Sequence, residues 1–289
     1  MTADQLAVDR VPKLRDGRMV LAFTGWMDGG DVSTGTVQWF AQTLDAELVA
    51  RIEPASFYIC NFPGSMEISA LFRPHTRIEN GVIRAYELPS NAILCDEHSG
   101  LVLFSGKEPN FNWGGFADCL FSFASRAGVG TLYFIGSYGG AVPHTREPRL
   151  SSTISDESLR PELERAGLAF TNYEGPASFS TYLLEQAPAR GLRMASLVAE
   201  IPAYIQGANP RCIEAVVRKL AALLLLQVNV DDLRTASAAW EERLNNVLEE
   251  KPDFSKHIRQ LEEDYDNEVF DTQMGDLKEW LEGQGIRVD

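Results

Sequence analysis

Thr131-Leu132-Tyr133-Phe134-Ile135, followed at once by Gly136-Ser137-Tyr138-Gly139-Gly140, is the stretch that decides the fold. Five uncharged residues, rich in β-branched and aromatic side chains, describe a strand buried on both faces. The glycine-rich run after it describes a turn at the strand's carboxyl end. The same signature recurs on either side. Residues 19–24 form an apolar run closed by Gly25, and Val37, Phe40, Ala41 and Leu44 then fall at helical spacing. Trp113, Phe116, Leu120, Phe123 and Ala127 make a helical stripe stopped by Gly128.

Further elements fill in between. Segments 47–52, 57–60 and 194–201 carry strand patterns. Asn80-Gly81, between 76–79 and 82–88, has the composition of a two-residue hairpin turn. His98-Ser99-Gly100 separates a second hairpin, 92–97 with 101–105. Ser155 is placed to cap a helix ending at Gly167, with Asp156 and Glu157 favourable in its first turn. Phe179, Tyr182 and Leu183 mark another helix. Asn209-Pro210 is a cap with proline at the first helical position, opening a helix through Ile213, Val217, Leu220 and Leu224. Wholly apolar strands alternating with helices predict an α/β domain over residues 1–233, with a mixed, largely parallel sheet covered on both faces.

From residue 234 the pattern changes. Trp240, Leu244, Val247 and Leu248 form one narrow stripe, Lys251-Pro252-Asp253 breaks it, and Phe254, Ile258, Leu261 and Tyr265 form a second. Leu277, Trp280 and Leu281 suggest a short third helix. Residues 234–289 are therefore expected to be an acidic helical hairpin or small bundle. Its apolar positions Trp240, Leu244, Leu248, Phe254, Ile258 and Leu261 would either pack on the parent domain or present a protein-binding surface.

Composition narrows the function. The chain has 289 residues, 45% hydrophobic and 23% charged, enough to bury a core without disulfide or metal staples. Its 26 basic residues face 41 acidic ones, net −15, and residues 231–289 alone hold 17 acidic against 7 basic. Nucleic-acid binding needs clustered lysine and arginine, so neither nucleic acid nor an anionic membrane is an expected partner. The longest apolar run, 220–226, is far short of the roughly 20 residues of a membrane helix. The start, Met1-Thr2-Ala3-Asp4-Gln5-Leu6, lacks a basic region followed by an apolar one. Four scattered cysteines (60, 95, 119, 212) form no paired motif, which fits a cytoplasmic protein.

Four constellations could carry chemistry. The turn Gly25-Trp26-Met27-Asp28-Gly29-Gly30-Asp31 lies where α/β proteins bind ligands. Its glycines lack dinucleotide spacing, no lysine follows as in a phosphate loop, and a plain tight turn with Asp31 or Ser33 capping the next helix is the alternative. Ser137 and Gly139 invite comparison with a nucleophile elbow, but Ile135 stands where that motif needs glycine. Asp96-Glu97-His98 could not share a metal on an extended strand, and no metal or other cofactor is expected. In the loop Pro143-His144-Thr145-Arg146-Glu147-Pro148-Arg149, the two arginines could bind an anion or pair with the chain's own carboxylates. Gly25, Trp26, Asp28, Ser137, Gly139 and Arg146 are the candidate cleft residues, with no catalytic residue assigned.

The order of these motifs resembles the proteasome assembly chaperone 2 family, in its bacterial branch of uncharacterised proteins. The resemblance rests on Gly25-Trp26-x-Asp28, on Gly106-x-Glu108-Pro109 followed by Trp113, and on the strand ending at Gly136. It continues through Pro143-x-Thr145-Arg146, Tyr173-x-Gly175-Pro176, Pro202-x-Tyr204, Asn209-Pro210 and Asp231-Asp232-Leu233, covering about residues 19–233. It implies a three-layer α/β/α fold similar to purine nucleoside phosphorylases, self-association (a trimer among the options) and a chaperone-like role toward a protein client. The chain ends Ile286-Arg287-Val288-Asp289, with Arg287 and Val288 where proteasome-docking tails carry a hydrophobic residue and tyrosine. Docking on a proteasome through this tail is accordingly not expected. The first functional expectation is a non-enzymatic assembly-chaperone-like or scaffolding protein. The alternative is a nucleoside-directed hydrolase or phosphorylase with its cleft at the strand ends.

Overall fold

A computed structural model describes residues 5–249 and 251–283. In chain order the elements are β1 (Leu6–Val8), β2 (Gly17–Thr24), α1 (Val32–Thr43), β3 (Glu47–Ile52), α2 (Met66–Ala70), β4 (His75–Glu79), β5 (Val82–Glu87), β6 (Ala92–Asp96) and β7 (Leu101–Lys107). They continue with α3 (Trp113–Ala127), β8 (Val129–Gly140), β9 (Leu150–Ser152), α4 (Arg160–Arg165), β10 (Ala169–Phe170), α5 (Phe179–Gln186), β11 (Arg193–Pro202), α6 (Pro210–Leu223), α7 (Asp231–Glu249) and α8 (Pro252–Gly283).

Nine strands form one mixed sheet in the order β1-β3-β6-β7-β2-β8-β11-β9-β10. Its centre, β7-β2-β8-β11, is parallel. Antiparallel pairings add β6, β3 and β1 on one side and β9 on the other. The expected mixed sheet is thus observed, with a parallel centre and, at one margin, β10 parallel to β9. The hairpin at 92–105 reverses direction at the other margin, and β9 returns antiparallel to β11.

Alternation along β2 explains why the sheet needs two covers. Met19, Leu21 and Phe23 face a core built with α3 and α5, while Val20 and Ala22 face one built with α1, α4 and α6. All five are buried, so either face left open would expose a continuous apolar strip. The first core is dominated by aromatic rings, with Phe116 packed against Phe57, Phe104 and Phe179 at centroid distances of 4.9, 6.0 and 5.6 Å. α3 stops at Gly128 (φ +78°), where an added Cβ would lie 2.3 Å from the Leu14 carbonyl oxygen.

Several local expectations are corrected. Residues 57–60 form no strand: Pro54 opens a short 3-10 turn, and the Phe57 carbonyl accepts from the Asn110 and Phe111 amides instead of a neighbouring strand. Asp156, not Ser155, caps the turn before α4, accepting from the Ser158 amide. The apolar positions near 277–281 do not begin a third helix, because α8 runs unbroken to Gly283. The side chains of Leu277, Trp280 and Leu281 lie outside the described residues, as do the start at 1–4 and the ending at 286–289. No helix among the described residues is long and apolar enough to cross a membrane.

Candidate functional site

The turn after β2 is held by the end of β8. Gly25 sits at φ +133°, a conformation that side chains strain, and directs the chain over Ser137. The Ser137 amide donates to the Met27 carbonyl at 2.8 Å, and its hydroxyl donates to the Gly29 carbonyl at 2.7 Å. Ser137 is fully buried, so its oxygen is a structural donor and not an exposed nucleophile. Asp28 accepts from the Thr34 amide (3.1 Å) and hydroxyl (2.8 Å), with burial raising its carboxyl above the ordinary value. Asp28 therefore does the capping expected of Asp31 or Ser33. Asp31 makes no side-chain cap, and Ser33 instead donates to the Ile135 carbonyl at 2.5 Å.

Beside this turn, toward α5, lies a cavity of about 380 Å³. Its walls are Trp26, Met27 and Tyr138 from the ends of β2 and β8, Ser151 and Thr153 at β9, and Ser196 and Val198 on β11. Thr171, Tyr173, Pro176, Ser178, Ser180, Thr181 and Leu184 complete them from the loop before α5 and from α5 itself. The lining is mostly hydroxyl and aromatic, with Met27, Pro176, Leu184 and Val198 among them, and among the described residues no Asp, Glu, His, Lys or Arg belongs to it. Glu108 stands just behind, accepting from the Trp26 amide (3.4 Å) and the Phe179 amide (3.2 Å), and so ties the mouth of the cavity to the start of α5.

A second constellation lies where α7 and α8 fold back on the loop at 143–149. Arg146 makes a two-pronged ion pair with Asp266, Nε and Nη2 each 2.8 Å from a carboxylate oxygen, and also faces Glu262 at 3.5 Å. Arg149 reaches Glu268 at 2.6 Å, Arg211 pairs with Glu241, and the Tyr265 hydroxyl donates to the Glu147 carbonyl. His144 is buried beneath them, its Nδ1 2.8 Å from the Tyr204 hydroxyl and its Nε2 3.1 Å from the Asn245 side-chain oxygen. A neutral imidazole protonated on Nε2 satisfies both bonds. Burial lowers its pKa, in the same direction.

Among the described residues no group of three His, Cys, Asp or Glu is placed to hold a metal. Burial pushes the thiols of Cys95 and Cys119 up to about 11 and that of Cys212 up to about 12, so none of these is a thiolate at neutral pH.

A model of the PAC2 family matches residues 22–248, nearly the whole sheet and its covering helices. The chain belongs to the PAC2 family. Among curated proteins none matches it. A proteasome-assembly chaperone homologue of Mycobacterium tuberculosis is 26% identical, with 79% of this chain and 94% of that one covered at a TM-score of 0.69. A PAC2 family protein of Streptomyces avermitilis is also 26% identical, with 80% and 95% covered and a TM-score of 0.68. A Mycobacterium tuberculosis protein of unknown function shares the fold more fully, with a TM-score of 0.82 and 95% and 93% covered at 20% identity. That coverage leaves too few residues aside to omit α7 and α8, so the helical extension is part of a fold found elsewhere.

Set against this PAC2 fold, the candidate residues separate. Of the six cleft positions, Trp26 alone lines the cavity. Gly25, Asp28 and Ser137 build the turn behind it, Gly139 lies in the β8–β11 ladder opposite Ile201, and Arg146 is in the α8 contact. In the extension, Leu248 and Ile258 are buried and Trp240, Leu244, Phe254 and Leu261 are half-buried. Trp240 lies 6.2 Å from the His144 ring and Phe254 5.5 Å from that of Tyr204. Among the described residues of the extension, the exposed large apolar side chains are Val247, Phe270 and Met274. The hydroxyls of the cavity carried no signal in the sequence, because they come from β9, the loops, α5 and β11, which only the fold brings together. Of the lining residues, Trp26, Tyr173 and Pro176 belonged to the motifs of the resemblance and Tyr138 to the glycine-rich run at 136–140.

Proposed function

We propose that this PAC2 family protein is a non-enzymatic, assembly-chaperone-like or scaffolding protein, cytoplasmic and self-associating, that acts on a protein client. The observation that carries this reading is the charge-free lining of the cavity at the strand ends, in a chain whose family includes a proteasome-assembly chaperone homologue. General acid–base or nucleophilic catalysis needs a titratable or activated group within hydrogen-bond reach of the reacting atoms. This cavity is lined by serine and threonine hydroxyls, and Glu108, the carboxylate behind its mouth, is engaged by the Trp26 and Phe179 amides.

The alternative, a nucleoside hydrolase or phosphorylase in the same cleft, needs a cationic cradle for phosphate or a carboxylate to polarise water. Arg146, the sequence's candidate for that cradle, is engaged with Asp266 and Glu262. One preparation of the full-length chain tests both readings. Immobilised, it is expected to retain a protein from host lysate in fixed ratio. Incubated with purine nucleosides, with and without phosphate, it is expected to leave them unchanged by chromatography. Turnover above the heat-inactivated control overturns the non-enzymatic reading.

A further inference from the structure

The α5 side of the sheet changes character toward β9. On β11, Met194 belongs to the aromatic core, but Ser196 and Val198, the next residues on that face, line the cavity of about 380 Å³. Ser151 of β9 pairs with Val198, and the Ser196 hydroxyl accepts from the Thr153 amide at 2.9 Å. Thr171 follows β10, its amide donating to the Ser152 carbonyl. Ser151, Thr153, Thr171 and Ser196 thus bring four hydroxyls to one floor, where a continued core would carry apolar side chains. Among the described residues, the hydroxyls of Ser151, Thr153 and Thr171 have no hydrogen-bond partner, and Ser196, only 3% exposed, has no acceptor for its own proton. At the mouth, Trp26 and Tyr173 are 73% and 69% exposed.

We propose that this cavity is a binding site for an uncharged ring compound, of nucleoside or sugar size, that carries several hydrogen-bonding groups. The inference does not depend on the client-directed reading above; it adds a small-molecule site to it. Each feature of the cavity selects one property of the ligand. The volume lies at the small end of the roughly 300–1,000 Å³ of small-molecule sites. The unspent hydroxyls require polar groups on the ligand, because a wholly apolar one would strand buried donors. A hydroxyl both donates and accepts, so the floor meets keto, amide and hydroxyl groups alike. The rings at the mouth offer a flat face for stacking, which water does not use. The missing charge excludes ions, since an anion or cation would give up its hydration without a counter-charge. Neither α7 nor α8 contributes a lining residue among the described ones, so the site stands apart from the arginine contacts of the extension.

Isothermal titration calorimetry on the full chain tests the proposal. The neutral probes are adenosine, uridine and methyl glucoside, and their charged counterparts are adenosine monophosphate, uridine monophosphate and glucuronate. At least one neutral probe is expected to saturate the protein with a millimolar or tighter dissociation constant, and its charged counterpart to bind at least tenfold more weakly. A nucleoside response identifies a stacked base as the preferred ring, and a glucoside response a sugar. Trp26→Ala is expected to weaken binding roughly tenfold, the usual scale of a lost stacking partner. Thr153→Val, which removes one hydroxyl and keeps the shape, is expected to weaken it about threefold. Both positions are exposed and neither side chain makes a hydrogen bond among the described residues, so melting temperatures should match the wild type. Phe270→Ala, at an exposed ring on α8, should bind as the wild type does. Saturation by none of the neutral probes, equal affinity for the charged ones, or binding that neither Trp26→Ala nor Thr153→Val weakens overturns the site. Turnover of a bound probe confirms the site and overturns the non-enzymatic reading, which keeps the two failures distinct.

Discussion

Arg146 Nε and Nη2 each stand 2.8 Å from a carboxylate oxygen of Asp266, across 120 residues of chain. This pair fixes the middle of α8 to the 143–149 loop, and Glu262 and Glu268 extend the contact along the helix to Arg146 and Arg149. The ion pairs sit at a partly exposed seam, so they fix where the helix lies more than they stabilise the fold. Asp266→Asn is therefore expected to speed limited proteolysis within α8 while leaving the far-ultraviolet circular dichroism of the core unchanged. Moderate salt is expected to have the same effect on the wild type and little further effect on the variant. Equal cleavage rates in the two proteins would remove the pair from any positioning role.

The seam also predicts an acid sensitivity. Burial holds the His144 imidazole below its ordinary pKa, against the opposing pull of the Asn245 hydrogen bond, Glu241 and Glu262; Arg211 adds to the lowering. The unfolded chain therefore takes up this proton more readily than the folded one. The neutral-histidine contribution is complete above about pH 6.5 and is lost as pH falls below it. Asp266, held low by Arg146, loses its charge only at more acid pH. Melting temperatures from pH 8 to 5 are expected to fall more steeply in the wild type than in His144→Gln, the separation opening below about pH 6.5. Parallel curves would show that His144 does not titrate on unfolding in this range.

Much of this architecture was legible in local chemistry. Asn80-Gly81 announced its hairpin, Gly128 and Asn209-Pro210 marked helix ends, and the wholly apolar runs at 19–24 and 131–135 required a sheet covered on both faces. What stayed hidden depends on contacts distant in sequence. Ser137 looks like any glycine-flanked serine until the Gly29 carbonyl is seen to accept its proton. Arg146 looks free until α8 folds back. Asp28, not Asp31, caps the helix, because the turn brings its carboxylate, three residues earlier in the chain, onto the Thr34 amide and hydroxyl. Residues 57–60 have strand composition, but Phe57 and Tyr58 pack into the aromatic core from a loop.

Ser137 allows a direct test of its structural role. Replacing it with alanine removes one of the two donors to the Gly29 carbonyl, which keeps the Val32 amide. Losing one such hydrogen bond costs about 1 kcal/mol. Urea unfolding of Ser137→Ala is expected to show a lower midpoint with an unchanged slope. Because Ser137 does not line the cavity, any ligand found there should bind the refolded variant as it binds the wild type. Loss of binding without loss of stability would restore a direct role for the hydroxyl.

The chemistry of the cavity makes a last prediction, on inorganic phosphate. Binding to the native state alone must raise stability, by about 2.7 kcal/mol at a hundredfold excess over the dissociation constant. A phosphate-using enzyme with a millimolar or tighter site would show this clearly in a thermal melt. Here the walls are mostly hydroxyl and aromatic, and Arg146 is bound to its own carboxylates. Moving a dianion into such a site forfeits hydration without a compensating cation. Phosphate at tens of millimolar is therefore expected to shift the melting temperature no more than sulfate or chloride of equal ionic strength. Uncharged nucleosides and sugars are the more compatible probes, because hydroxyl donors and exposed rings at Trp26, Tyr138 and Tyr173 can meet them without burying charge. A phosphate-specific rise abolished by Arg146→Ala would move the functional centre from the cavity to the 143–149 loop and revive the phosphorylase reading.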